Sequence, residues 1–197
     1  MTVGRVRPEE RLRSVEVLRE EFRRLMSRYF TGVTVVTSND GEGKPHGLTC
    51  NSLTSVTLTP PTLLVCLNLC SGTLAAIRHS RGFVVNLLHD RARTTAKLFS
   101  SAAENRFRRV SWTSSPVLGL PWLDADAHSI AECRVTDTHV VGDHAIVYGE
   151  VTEVTMVEDT SCHPLLYGMR TFFDAPESVS ATRKEDAVLA NGHGSTG

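Results

Sequence analysis

Thr31 to Asn86 reads TGVTVVTSNDGEGKPHGLTCNSLTSVTLTPPTLLVCLNLCSGTLAAIRHSRGFVVN, and this stretch decides the fold. Val33, Val35 and Val36 begin a β run, because β-branched side chains suit a pleated surface. Asn39-Asp40-Gly41 with Gly43 and Pro45 is turn chemistry, so a hairpin into a strand over His46–Leu58 is expected. Pro60-Pro61 breaks the chain before a third strand, Thr62–Asn68. Ser71 then N-caps a short helix carrying Leu74 and Ile77, which ends near Arg81-Gly82. Phe83–Leu88 is the next strand.

Upstream, Leu12, Val15, Leu18, Phe22, Leu25, Met26 and Tyr29 recur at helical spacing, with Arg and Glu on the other face. The pattern predicts a helix over Glu9 to Tyr29, ended by Gly32. Downstream, Asp90 is placed to cap a helix carrying Ala92, Ala96, Leu98 and Phe99, and Asn105–Leu123 reads as a loop-rich excursion. Two long β runs, Ser129–Val140 and His144–Val157, flank Val141-Gly142-Asp143 and suggest another hairpin. Leu165–Phe173 fits a last strand or an ordered coil. The expected organisation is an N-terminal helical extension over 1–20, a domain over 21–174 and a disordered tail over 175–197, where apolar periodicity stops. Mainly antiparallel β with flanking helices suggests a closed or nearly closed barrel.

Composition narrows the function. A chain of 197 residues with 41% hydrophobic and 22% charged content suits one globular domain. The net charge of −1 gives no electrostatic case for nucleic acid. No apolar run is long enough for a membrane helix and no hydrophobic signal segment opens the sequence, so a cytoplasmic protein is expected. Five scattered cysteines favour reduced thiols over a disulfide framework. Cys66-x-x-x-Cys70 and Cys162-His163 lack a second well-spaced pair, so no metal site is expected. No G-x-S-x-G elbow accompanies the Ser, His and Asp residues.

Four clusters carry possible chemistry. Thr49, Cys50, Asn51, Ser52 and Ser55 supply hydroxyl and amide groups that suit the edge of a planar heterocycle, or else form the polar outer face of an exposed strand. On one continuous strand, Thr49, Asn51 and Ser55 would share a face. Asn68, Ser71 and Thr73 surround a helix start, which either binds an anion or is simply capped. His144 follows the Gly142-Asp143 turn, and a histidine in a β run is structural or catalytic. Tyr167 and Arg170 suit ring stacking, phosphate pairing or a subunit contact.

Taken in order, these segments resemble the flavin reductase-like family, the short-chain NAD(P)H:flavin oxidoreductases of two-component monooxygenase systems. The features that match are Phe22–Val36, GLTCNSLTSVTLTPP, CLN-x-x-S-x-T, Phe83 with Asn86 in GFVVNLL, Phe99, Phe107, AECRV around Cys133, Gly142-Asp143-His144 before AIVYGEV, and PLLYGMR. The resemblance covers about Glu21 to Phe173. It implies an FMN-binding split β-barrel, a homodimer, and FMN or FAD reduced by NADH or NADPH for a separate monooxygenase or halogenase. By position it places Thr49, Cys50, Asn51 and Ser52 against the isoalloxazine and ribityl chain. Ser55, Ser71 and Thr73 fall near the phosphate, and Asn68 and Asn86 in the same pocket. His144 stands as the catalytic-site residue where nicotinamide approaches, with Tyr167 and Arg170 closing that side. Leu69-Cys70 departs from the basic pair common there in the family. The chemistry needs no strong protein acid or base, only two rings held about 3–3.5 Å apart with water excluded. A flavin-binding electron-transfer or sensor protein is the alternative on the same fold, and a relative using a deazaflavin or haem is a third.

Overall fold

The computed structural model describes residues 8–157 and 162–175. The expected tail over 175–197 lies outside the described residues, apart from Ala175. Helix α1 (Pro8–Ser27) leads to a two-residue strand β1 (Thr31–Gly32), then β2 (Thr34–Asn39), β3 (Pro45–Cys50), β4 (Thr54–Leu58) and β5 (Pro61–Asn68). Helix α2 (Gly72–Ser80), β6 (Gly82–Leu88) and α3 (Arg93–Ser100) follow. The excursion carries two short strands, β7 (Thr113–Ser114) and β8 (Pro121–Trp122). The long hairpin β9 (Ala127–Val141) and β10 (His144–Met156) and the small hairpin β11 (Leu165–Gly168) and β12 (Thr171–Asp174) complete the fold.

Seven strands form one antiparallel sheet in the order β3-β2-β6-β9-β10-β5-β4. Its first and last strands, β3 and β4, are neighbours in sequence, joined by Asn51, Ser52 and Leu53 alone. Four residue steps span at most about 14 Å, so the sheet must curl until its edges nearly meet. No ladder joins β3 to β4, so the barrel is split rather than closed.

This geometry corrects the expected single strand over His46–Leu58. The run is mostly β-compatible, but Asn51–Leu53 carries the chain from one edge to the other, so Thr49, Asn51 and Ser55 share no strand face. Helix α1 also ends at Ser27, before Gly32, because Thr31 and Gly32 pair with Tyr167 and Leu166 of β11. The Leu165–Phe173 segment is a hairpin turning at Met169 and Arg170, both with positive φ. Asp90 does not cap α3: a short 3₁₀ turn over Asp90–Ala92 intervenes.

The middle of the curled sheet is buried on both faces. Val36, Val65, Leu67, Phe83, Val85, Cys133, Val135 and Val147 point inward, where Leu74 and Ile77 of α2 plug the interior. Val33, Val35 and Leu88 point outward against Ala96, Leu98 and Phe99 of α3. The inner curve needs a residue without a side chain at Gly149, where a β-carbon would stand 2.5 Å from the Phe83 ring and 2.8 Å from Cys133 Cβ. The β9–β10 register slips beside that glycine, as a bulge that bends the hairpin.

Candidate functional site

The split creates the site. β3 stops at Cys50 because its partner β2 begins at Thr34, whose hydroxyl donates to the Cys50 carbonyl at 2.8 Å. Ser52 then bridges the gap with its side chain. Its Oγ accepts from the Cys66 N–H at 2.9 Å and donates to the Cys66 carbonyl at 3.0 Å, on β5 beyond the last β4 pair, Thr54 with Leu64. The backbone N–H groups of Asn51, Ser52 and Leu53 donate to no other described residue.

Beside this seam lies an open groove of about 450 Å³, lined by Thr49, Cys50, Asn51, Ser52, Asn68 and His144 with Leu48, Cys66, Leu67, Phe99 and Ser100. A second hollow of about 330 Å³ meets it on Thr49, Cys50, Asn51 and Ser100 and is closed by Tyr167, Arg170, Val33 and Phe172. Both sizes fall within the range of small-molecule sites. Eight of the residues singled out in the sequence therefore converge here.

Their side chains differ in how much bonding capacity remains. Thr49 Oγ1 donates to the Ala96 carbonyl at 2.6 Å, tying α3 to β3. Ser52 is spent on Cys66. The Asn51 side chain is exposed and bonds no other described residue, while Asn68 uses only Oδ1, accepting from the Cys70 N–H at 2.9 Å. His144 opens β10 directly opposite Asn68, and its Nδ1 lies 2.7 Å from Asp143 Oδ1. That hydrogen bond holds the Asp143 carboxyl below its ordinary range, so Asp143 stays ionised at neutral pH and fixes the imidazole with Nε2 free. Burial, with Cys50 nearby, pushes the Cys66 thiol up, which keeps it protonated in the groove wall. Tyr167 is set by an edge-on contact with Phe172 at 5.3 Å and by pairing with Thr31. Arg170 sits on the hairpin turn, 3.7 Å from Glu20 of α1.

The remaining four lie elsewhere. Asn86 is corrected outright: it is fully buried on β6 and does not reach the groove. Its Nδ2 donates to Val35 O at 2.9 Å and Thr37 Oγ1 at 3.2 Å, and its Oδ1 accepts from Leu123 N–H at 2.8 Å. Ser71 accepts from the N–H groups of Thr73 and Leu74, so α2 is capped by its own residue, and Thr73 is buried. Ser55 is exposed on β4. None of the three lines either hollow. Leu48, Cys66, Leu67 and Ser100 were missed as site residues. Their signal was weak, since Leu48, Cys66 and Leu67 read as core of β runs and Ser100 as a helix end.

The donor set suits a flat heterocycle with several carbonyls. Among the described residues it offers the Asn51 amide, the Asn68 Nδ2 and seam N–H groups without a partner, and an apolar wall of Leu48, Leu67 and Phe99. A flavin ring has that chemistry. Residues 26–176 match the family model described as a flavin reductase like domain. The chain belongs to the flavin reductase-like family. It is 58% identical over 152 residues to a flavin reductase (NADPH) of Lentzea aerocolonigenes, covering 77% of this chain and 87% of that protein. It is 38% identical over 153 residues to a flavin reductase (NADH) of Kitasatospora aureofaciens, covering 78% and 80%. Among solved structures, nitrilotriacetate monooxygenase component B of Mycobacterium thermoresistibile superposes with a TM-score of 0.78 at 31% identity, covering 83% of this chain and 89% of that one. The split barrel expected of a flavin reductase-like protein is thus the observed fold. No helix among its described residues is long and apolar enough to cross a membrane.

Proposed function

We propose that this flavin reductase-like chain is an NAD(P)H:flavin oxidoreductase. It reduces FMN or FAD, which is then handed to a separate flavin-dependent monooxygenase or halogenase. The observation that carries the reading is the seam groove, where uncommitted groups of Asn51 and Asn68 face an apolar wall beside the Asp143-oriented His144. The two bound rings supply the hydride chemistry between nicotinamide C4 and flavin N5. The chain binds, orients and excludes water. Asn51, Asn68 and the seam N–H groups hold the flavin edge, and Phe99 and Leu48 cover its apolar body. His144 offers Nε2 to the nicotinamide, and Tyr167 and Arg170 close the adjoining hollow. No paired carboxylate or triad is asked for. NADPH is the preferred donor on the strength of the relative at 58% identity. The cytoplasm, where reduced nicotinamide is made, is the compartment this reading requires.

The reading includes a homodimer. Leu18, Phe22 and Leu25 on α1 are 61–65% exposed, and Leu58 on the open edge β4 is 83% exposed. A cleft of about 480 Å³ between α1 and the Met169-Arg170 turn is lined by Phe22, Met26, Tyr167 and Arg170, beside the second hollow. Light scattering should return twice the chain mass.

The decisive experiment mixes purified protein, FMN or FAD, and NADH or NADPH without oxygen and follows flavin absorbance. Catalytic bleaching of excess flavin is expected. A tightly bound, stoichiometric yellow flavin with no turnover would overturn the reading.

A further inference from the structure

The hairpin of β11 and β12 reverses through Met169 and Arg170, with φ of 48° and 63°. A two-residue hairpin loop with both central φ values positive is the kind that Asn-Gly favours, because a β-carbon crowds the following carbonyl there. Methionine and arginine lack that tolerance, so the turn is strained by its own sequence. A strained turn persists only where its surroundings over-determine it.

Helix α1 and the residues after it supply that constraint. Met169 N–H donates to the carbonyl of Ser27, the last residue of α1, at 2.5 Å. The Phe30 ring lies against Gly168, where an added β-carbon would stand 2.7 Å from it, and packs on Phe173 at 5.1 Å. Glu20, two helical turns before Ser27, places Oε1 3.7 Å from Arg170 Nη2. Arg170 then lines both the second hollow, beside Tyr167, and the cleft between α1 and the turn. The neighbouring Arg19 reaches the other turn of the site. The His144 hydrogen bond chiefly holds the Asp143 carboxyl below its ordinary range, and the positive charge of Arg19 adds to it. Consecutive residues of α1 thus reach the two hairpin turns that flank the site. Leu18 and Leu25 lie on the far side of the helix, exposed and available to a second copy.

We infer that α1 is a positioning element of the site: Glu20, with the Ser27 carbonyl and the Phe30 ring, holds the Met169-Arg170 turn so that the Arg170 guanidinium faces the ligand of the second hollow. This rests on the oxidoreductase reading above and adds to it a helix whose Glu20 lines neither hollow. It accounts for an arginine where glycine would be less strained: the side chain is kept for what it touches. Glu20 touches no ligand and acts through Arg170. Both partners of the pair are exposed, so the effect is modest and weakens with salt.

The test is a double-mutant cycle on the full chain. Glu20→Arg should raise the nicotinamide KM about fivefold, as reversal of an exposed pair allows, with kcat changed less than about twofold. Glu20→Asp keeps the charge and should stay within about twofold of the parent in both. Arg170→Gly should raise the same KM about tenfold, and in that background Glu20→Arg should add less than about 1.5-fold, because its route to the ligand is gone. Met169→Asn/Arg170→Gly installs the residues that the turn geometry favours and should raise Tm by a few °C. That melt needs no turnover, so it reports on the turn even if the parent reduces no flavin and the function reading fails. A Glu20→Arg KM equal to the parent's, the same fold-rise in both backgrounds, or a lower Tm in Met169→Asn/Arg170→Gly would each overturn the inference.

Discussion

The middle of the sheet and its split edge hold the same kinds of side chain and use them in opposite ways. In the middle, Thr34, Thr37, Ser38, Asn86 and Glu132 are all essentially inaccessible to water, and each is bonded within the fold. Glu132 accepts from the Ser115 hydroxyl, from Val117 N–H at 3.0 Å and from Leu118 N–H at 2.6 Å, pinning the excursion to β9. At the edge, Asn51 and half of Asn68 bond no other described residue. A buried polar group must be paired, because leaving it unpaired costs about 1–3 kcal/mol. An edge polar group can wait for a ligand because water satisfies it meanwhile.

The sharpest way to break this comparison is to remove the same amide from each region. Asn86→Ala removes three buried bonds, to Val35 O, Thr37 Oγ1 and Leu123 N–H, and should cost about 3 kcal/mol of stability. For a chain of this size that is a Tm loss on the order of 10 °C. Asn51→Ala should shift Tm by no more than about 1–2 °C, in keeping with a surface substitution, while raising flavin KM severalfold. Thermal melts alongside flavin titrations check both. If Asn51→Ala lowered Tm as much as Asn86→Ala, the edge would be structural and the contrast would disappear.

The sequence reveals one of these regions better than the other, for physical reasons. Local elements are readable: Ser71 caps α2 as its position promised, Arg81 terminates it with φ of 58°, and the β9–β10 hairpin turns at Gly142 with φ of 60°. Those signals lie within a few residues of their consequences. The break at Asn51–Leu53 is different. TCNSLTS carries no Gly or Pro to mark a break, and its division follows from the sheet curling until distant edges meet. Asn86 and Asn51 are likewise both amides embedded in runs that read as strand. Tertiary context alone makes one a core bracket and the other a groove wall. The resemblance put Asn51 and Asn86 in one pocket by position, whereas Asn51 lines the groove and Asn86 is buried away from it.

Next in size is the seam. Ser52→Ala removes both bonds to Cys66 and should cost about 1–2 kcal/mol, with flavin KM rising because Asn51 loses its anchor. Ser52→Thr keeps the hydroxyl and should recover much of both. Stability loss without any change in flavin binding would separate the seam from the site. His144→Ala should act more narrowly still. About a tenfold rise in nicotinamide KM with flavin affinity little changed is expected, equivalent to ~1.4 kcal/mol of binding. Asp143→Asn should reproduce part of it, because the imidazole loses its charged partner. Equal losses for both ligands, or for neither, would remove His144 from the nicotinamide side.

The smallest effect separates the regions by pH. His128 is half-buried on β9, with Nδ1 2.9 Å from Ser129 Oγ, and burial, aided by nearby His89, holds its pKa below the usual 6.5. The unfolded chain therefore takes up that proton at a higher pH than the folded chain does. Stability is fully present above about 6.5 and falls as pH drops toward the depressed folded value. Asp126, pushed up by burial, acts in the opposite sense at more acid pH, where the folded chain holds its proton longer. Tm measured at about pH 7.5 and pH 5.5 should fall by a few °C more in the parent than in His128→Asn. Asn51 and Asn68, which hold the flavin edge in the proposed site, carry no titratable group, so flavin KM should not follow the same titration. Parallel slopes in parent and variant would show that His128 is not the titrating group, and a KM that tracked Tm would show the two regions to be coupled.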